Sequence, residues 1–420
     1  MDMPTPALLS FRVSNHRSIR EPVEISFVAT ARRDEPTHRF PSAHTEHGVL
    51  PMLGLWGANA SGKTSVVDAL ELFQFHVAQS FIGARADAPV RREPWRGRHD
   101  EPTEMVLEFI DEHDRRHQLG MVIGPEGFDE EWLAVWEPET RRQQVWYRRS
   151  KNGWYFGPRL KGPKQAIADQ TRANSLFLAA AAQHNHPELL PVYSFVTQRL
   201  VPAVHDMRAG FPIFEADHPM LSEAFRPLLR AFLRAADLGV DDVAVVPMTM
   251  SDPAQALHEV FQPAFLERFA KKLLVRLELV RGQGADAWQL PSAAESLGTW
   301  ALIQRLADLA RLPATGGLLI IDEIDSSLHP DLCRAFVELF AQAGGKHQLL
   351  FTSHDRGLLQ ALRTDEVVLI DKRDHATVIA SASDFRGLRA RDDVERAHRA
   401  GRIGAVPVLG DLAGALDPGR

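Results

Sequence analysis

Apolar positions change their spacing several times along the chain, and each change predicts an element. "LLSFRVSNHRSIREPVEISFVAT", Leu8 to Thr30, alternates apolar and polar residues in two short runs and predicts a hairpin. "GVLPMLGLWG" is mostly apolar and ends in glycine, as a buried strand feeding a turn does. In "TSVVDALELFQFHVAQSF", Val67, Leu70, Phe73 and Val77 share one helical face. From Glu104 to Phe156 the runs "EMVLEFID", "HQLGMVI", "EWLAVW", "QVWYRR" and "WYF" alternate between turn residues and predict an antiparallel meander. Pro163 to Leu238 reads as helical, interrupted by Pro187, Pro191, Pro202 and Pro227, and "DDVAVVPM" and "KKLLVRLELV" read as strands. Finally, the helix "WALIQRLADLARL", the strand "GLLIIDE", the helix "PDLCRAFVELFAQAG" and the strand "QLLFTSH" alternate as in a parallel sheet. The expectation is an α/β core divided by an insertion: 1–162 with an antiparallel lobe, 163–285 mainly helical, and 286–420 completing the core.

Composition narrows the class. At 420 residues, 45% hydrophobic and 25% charged, the chain is of ordinary globular type and long enough for two domains. No apolar run is long enough to span a membrane, and the N-terminus lacks a signal-peptide pattern, so a cytoplasmic location without a membrane partner is expected. The single cysteine, Cys333, excludes an internal disulfide and a cysteine-rich zinc site. A net charge of −7 argues against nonspecific coating of nucleic acid, though it leaves room for a local basic groove.

Two segments carry specific chemistry. In Gly57-Ala58-Asn59-Ala60-Ser61-Gly62-Lys63-Thr64, followed by Ser65, the glycines let backbone N–H groups wrap phosphates. Lys63 is placed to reach the β- and γ-phosphates, and the Thr64 hydroxyl to ligate Mg2+. The strand before and helix after put the loop at a helix N-terminus, where the dipole favours anions. "GLLIIDEIDSSLHP" delivers two carboxylates at a strand end: Asp322 to hold Mg2+ through water, Glu323 to act as general base on the attacking water. "ESLGT", with Ser296, Gly298 and Thr299, has the form of an anion-binding helix start, although the same pattern serves as an ordinary N-cap. His354 ends a strand where an imidazole can meet a γ-phosphate.

The order of these segments resembles that of ABC-type ATPases, with Walker A at Gly57–Thr64, signature at Ser296–Thr299 and Walker B at Leu318–Glu323. The resemblance implies a P-loop ABC-type head with an antiparallel β lobe and a helical insertion. It also implies a D-loop containing Asp325, Ser327 and His329, with His354 as switch histidine. In that class the signature serine and glycine bind the γ-phosphate held by a second subunit, which implies a homodimer or higher homo-oligomer that sandwiches ATP and Mg2+.

"FRVSNHRSI", "GANASGKT", "EPTEMVLEFI", "SLFLAAAAQHNHP", "IIDEIDSSLHP", "FTSHDRGLL" and "GRIGAVPVL" further resemble the AAA-annotated, SMC-like ATPases of bacterial anti-phage defence. These are related to the overcoming-lysogenisation-defect ATPases and include subunits of the phage anti-restriction-induced and abortive-infection systems. That likeness implies an ATP-driven sensor or scaffold controlling a separate toxic effector, a Toprim-type or other nuclease, under a phage-encoded trigger. Only Asp355 to Arg420 follows the histidine, too short for a Toprim domain within this chain.

The sequence departs from the family at His16 and Ile403, where aromatics are usual, and it has no evident glutamine loop, with Gln74 and the segment around Trp95 as candidates. The alternative is a compact SMC-like DNA-binding repair or recombination ATPase. Long coiled-coil heptads are missing, however, and prolines punctuate the insertion. A transporter ATPase would have a much shorter gap than Thr64 to Ser296.

Other features have plainer readings. "RREPWRGRHD" reads as a solvated basic loop rather than a nucleic-acid contact. "HTEH" and "HNHP" lack a metal-ligand pattern. Trp132, Trp136, Trp146 and Trp154 read as sheet packing. "DFRGLRARDDVERAHRAGR" is either a solvated helix or a surface for an oligomer or effector.

Overall fold

The computed structural model describes residues 5–30, 39–83, 85, 87–137, 142–203, 212–247, 274–282, 284–342, 346–385 and 394–399. Its chain falls into two compact units. The first comprises residues 1–200, 313–324 and 334–420, and the second 201–312 and 325–333.

The first unit is built on two sheets. The antiparallel sheet has the order Val23–Ser26, Ala7–Ser14, Thr103–Ile110, Arg116–Ile123, Phe128–Trp136, Gln143–Ser150 and Gly153–Phe156. It contains the expected hairpin and the expected meander, and alternate side chains of its strands enter the core. The tryptophans serve its packing. Trp132 lies over Gly120, where an added Cβ would stand 2.1 Å from the indole, and the Arg116 guanidinium sits 4.3 Å from the Trp136 ring.

The other sheet has the order Ala376–Ser381, Val367–Arg373, Met52–Trp56, His347–Ser353 and Gly317–Ile321, with its edge taken by the short strand that begins at Leu200. The four strands from Val367–Arg373 to Gly317–Ile321 are mutually parallel. Met52–Trp56 and Gly317–Ile321 are buried along their whole length, as strands covered on both faces must be. The helix Lys63–Gln79 buries Val66, Val67, Leu70, Phe73 and Val77, and Phe73 meets Phe11 edge-to-face at 5.9 Å.

The observed division differs from the expected cuts at 163 and 285. Helices Lys164–Gln170 and Phe177–Gln183 belong to the first unit. A buried carboxylate ties down the second of them: Glu131, in the antiparallel sheet, accepts the N–H groups of Phe177 at 2.6 Å and Leu178 at 3.0 Å, and the Tyr147 hydroxyl at 2.8 Å. Burial raises the Glu131 pKa, while these donors act to lower it.

The second unit is not simply helical. Leu274–Arg281 pairs antiparallel with Ile213–Glu215, Asp242–Pro247 and Trp288–Leu290, beside helices Arg226–Ala235 and Leu297–Ala310. Burial of alternate residues along Leu274–Arg281 explains why so charged a stretch forms a strand. The segment "GRIGAVPVL" and most of the charged C-terminal stretch lie outside the described residues.

Candidate nucleotide site

Parallel pairing brings the first group of expected residues to one edge of the sheet. His347–Ser353 lies between Met52–Trp56 and Gly317–Ile321, with Ser353 opposite Trp56 and Phe351 opposite Ile321. The chain therefore leaves this edge as the Gly57 loop, as Asp322-Glu323 and as His354, three neighbouring strand ends pointing the same way. Carboxyl ends of parallel strands are where α/β sheets bind ligands.

The loop has the backbone a phosphate cradle needs. Gly62 has φ 113°, Ala60 has φ 61°, and the helix begins at Lys63. A Cβ on Gly57 would stand 2.2 Å from the Ile370 carbonyl oxygen, and one on Gly62 would stand 2.0 Å from Thr377 Oγ1. Both glycines are thus required by close neighbours behind the loop as well as by its curvature. Lys63 Nζ donates to the carbonyls of Gly57 at 2.9 Å and Ala58 at 3.2 Å, reaching back across the loop. Ser61 Oγ is buried with no hydrogen-bond partner, while Asn59, Ala60 and Thr64 are exposed.

Asp322 and Glu323 are organised by Thr352, a residue that sequence reasoning missed. Thr352 is fully buried, and its hydroxyl donates to Asp322 Oδ1 at 2.6 Å while accepting the Glu323 N–H at 2.7 Å. Glu323 has φ 52°, and the Ile324 N–H closes the turn on the Thr352 carbonyl at 3.0 Å. The left-handed residue turns the chain sharply and leaves Glu323 exposed. A threonine two positions before His354 on a buried strand was the available signal, since a buried hydroxyl needs a partner.

The carboxylate of Asp322 also acts on the helix Lys63–Gln79. Burial, followed by the charges of Asp68 and Asp322, pushes the Glu71 carboxyl up to about 7, with Arg17 and Arg91 opposing. Hard oxygen donors at Thr64 and Asp322 suit Mg2+, and the curved loop with the Lys63 ammonium suits a polyphosphate, so the residues fit Mg-ATP. When bound, the ion supplies charge neutralisation at the phosphates.

The remaining expected residues lie in the second unit. Ser296 caps the helix Leu297–Ala310, accepting the Thr299 N–H at 3.2 Å and bonding the Thr299 hydroxyl at 2.9 Å. Glu295 accepts the Ser296 N–H at 2.8 Å and is paired with Arg281 at 2.5 Å. Burial would raise the Glu295 pKa, but the Ser296 N–H, Arg281 and Thr299 outweigh it and hold the carboxyl below its usual range. A Cβ on Gly298 would stand 3.1 Å from the Ser327 carbonyl, so the helix start and the Asp325–His329 turn meet closely. Ser327 has φ 62°, and His329 is exposed beside Asp331 at 3.5 Å.

Several features have structural roles. Gln74 donates to the Val196 and Leu200 carbonyls at 3.1 and 2.5 Å, which explains it without a nucleotide. His16, in place of the usual aromatic, is fully buried with Nε2 2.8 Å from Asp68. The basic Arg91–Asp100 segment is solvated, with none of its residues buried, but it is also tethered: Glu93 pairs with Arg17 at 2.6 Å, the Trp95 N–H donates to Asn15 Oδ1, and Arg98 pairs with Glu21. In "HTEH", the His44 imidazole is bonded to the Asp114 carbonyl at 2.8 Å.

Among the described residues, no helix is long and apolar enough to cross a membrane. No curated protein matches the chain. Among solved structures, it is similar at 14% identity to an Smc head bound to the C-terminal winged-helix domain of ScpA, covering 89% of this chain and 97% of that one, with a TM-score of 0.47. It is likewise similar to the SMC head domain from Thermotoga maritima, at 11% identity over 89% and 98% with a TM-score of 0.40. A third is an Smc head with an extended coiled coil bound to the C-terminal domain of ScpA derived from Pyrococcus furiosus, at 14% identity over 94% and 99% with a TM-score of 0.44. A family profile matches residues 52–360, most of the chain, from the strand before the phosphate loop to beyond His354. The chain therefore belongs to the family described as "AAA domain, putative AbiEii toxin, Type IV TA system".

Proposed function

We propose that the protein is an Mg2+-dependent ABC-type ATPase whose ATP-bound form assembles two copies and thereby controls a separate toxic effector in anti-phage defence. The observation that carries the enzymatic part is the convergence of the phosphate loop, Asp322-Glu323 and His354 on one sheet edge, with Thr352 holding both acidic positions. In this reading Lys63 and the loop N–H groups bind the phosphates, Thr64 and Asp322 hold Mg2+, and Glu323 takes a proton from the attacking water. His354 contacts the γ-phosphate. Ser296, Gly298 and Thr299, with the Asp325–His329 turn, serve the site of a second copy. The defence role draws on the family membership and on the whole-chain resemblance, and a nuclease is the effector that this resemblance suggests.

The test is phosphate release from Mg-ATP together with size-exclusion light scattering of wild type, Lys63→Ala and Glu323→Gln. Hydrolysis should be lost in both variants, and Glu323→Gln should retain ATP and accumulate as an assembly. Unchanged hydrolysis in Glu323→Gln would remove that residue from the mechanism. Unchanged phage resistance after deletion, with the neighbouring genes present, would remove the defence role.

A further inference from the structure

Behind the phosphate loop lies a chain of three hydroxyl groups that joins segments far apart in sequence. Thr377 Oγ1 donates to the Ser61 carbonyl at 2.9 Å. Ser18 Oγ is 2.7 Å from Thr377 Oγ1 and 2.8 Å from Ser65 Oγ. The Thr377 N–H donates to the Ser18 carbonyl at 2.8 Å, so backbone as well as side chain holds the two together. Thr377 is buried in the strand Ala376–Ser381, which pairs antiparallel with Val367–Arg373.

Proton counting fixes the direction of this chain. Each hydroxyl has one hydrogen to donate. Thr377 gives its hydrogen to the Ser61 carbonyl, an acceptor only, so it must accept from Ser18. Ser18 has then given its hydrogen to Thr377, so it must accept from Ser65. The order is Ser65 to Ser18 to Thr377 to the Ser61 carbonyl, an aligned run in which each bond polarises the next.

The end point of the run is the consequential one. A trans peptide is planar, with its C=O and N–H pointing in opposite directions. Drawing the Ser61 carbonyl back towards Thr377 therefore aims the Gly62 N–H to the opposite side, into the concave face of the loop. Gly62 admits this arrangement because it has no side chain: a Cβ would stand 2.0 Å from Thr377 Oγ1 and 2.7 Å from Ser18 Oγ. Its φ of 113° is also one that other residues rarely adopt.

We propose that Thr377 and Ser18 are positioning residues for nucleotide binding, setting the Ser61–Gly62 peptide so that the phosphate loop is preorganised before ligand arrives. This rests on the reading of Gly57–Thr64 as a nucleotide cradle and adds two residues outside it. A donor already aimed at the phosphate costs no reorganisation on binding. The same geometry makes the Val367–Ser381 hairpin the rear wall of the cradle, since the Ile370 carbonyl backs Gly57 as Thr377 backs Gly62.

The experiment measures affinity for Mg-ADP and for inorganic pyrophosphate in wild type, Thr377→Val, Thr377→Ser and Ser18→Ala, each checked for its unfolding temperature without ligand. Pyrophosphate reports on the cradle alone. Thr377→Val should weaken both ligands by about tenfold and Ser18→Ala by about threefold, the scale of one hydrogen bond each. Thr377→Ser should bind within about twofold of wild type because it keeps the donor. A merely structural role would lower the ligand-free unfolding temperature of the valine variant yet leave both affinities at wild-type values, and that result would overturn the proposal. Should the valine variant fail to fold, wild-type affinities in Ser18→Ala would overturn it equally. Wild-type protein that bound neither ligand would refute the nucleotide reading itself, a separate outcome.

Discussion

Replacing Thr352 by valine removes one hydroxyl from the interior and keeps the shape of the side chain. Two bonds are lost at once: one to the Asp322 carboxylate at 2.6 Å and one from the Glu323 N–H at 2.7 Å. A hydrogen bond to a charged group contributes about 1.5–3 kcal/mol, and a buried donor left without an acceptor costs about 1–3 kcal/mol. The bond from the Glu323 N–H is only part-buried, so water can relieve part of the second cost, and a loss of about 2–4 kcal/mol is expected. Catalysis should suffer separately, because the hydroxyl orients both the metal-binding carboxylate and the turn that presents the base. Removing such a supporting partner typically costs about 10–100-fold in metal affinity or activity. The assays are urea unfolding and phosphate release across an Mg2+ titration. Thr352→Val should unfold earlier, require more Mg2+ and turn over more slowly, while Thr352→Ser should recover most of both properties. A valine variant with the wild-type unfolding midpoint and the wild-type Mg2+ dependence would refute the role given to Thr352.

Other consequences are as direct. Gly57→Ala places a Cβ against the Ile370 carbonyl, a backbone atom that cannot swing aside, so nucleotide binding and thermal stability should both fall; a variant that binds Mg-ADP normally would contradict the close approach. Glu71 is held near pKa 7 against an ordinary 4.5, so the stability contributed by its protonated form is full below about 4.5 and lost as pH rises through about 7. Glu71→Gln should therefore stabilise the protein at pH 8, by about 1–2 kcal/mol once solvent screening at this half-buried position is discounted from the full shift, and by almost nothing at pH 4, read by chemical denaturation at the two values. Buried His76 runs the other way: burial holds it down to about 4, so its contribution is present above pH 6.5 and lost as pH falls through 4, and His76→Gln should flatten that acid limb.

What the sequence reveals here depends on how local the cause is. The phosphate loop and the Asp322-Glu323 pair are readable because their chemistry restricts residue types at short spacing, and the flanking apolar runs mark buried parallel strands. The meander from Thr103 to Phe156 is readable for the same reason, since alternation is a local pattern. Thr352 and Thr377 are not readable in that way. Thr352 meets Asp322 from 30 residues away and Thr377 meets Ser61 from 316, and a single threonine in a strand carries no mark of its partner. The helix Phe177–Gln183 is held to the first unit at its start by one buried glutamate, which hydrophobic spacing does not register. Likewise, "RREPWRGRHD" has the composition of the solvated loop it is, but nothing in it marks the tethers from Arg17 and Asn15, 76 and 80 residues away.

The central claim is that each active site is shared between two copies, and mixing two inactive variants tests it. Lys63→Ala spoils the phosphate loop but keeps Ser296, while Ser296→Arg spoils the helix start but keeps Lys63. In a mixed dimer, one site pairs an intact loop with an intact Ser296. Phosphate release should therefore return on mixing, to roughly a quarter of the wild-type rate at equal amounts if copies associate at random. Absence of rescue at every mixing ratio, with both variants folded and the Ser296→Arg protein binding ATP, would contradict a shared site.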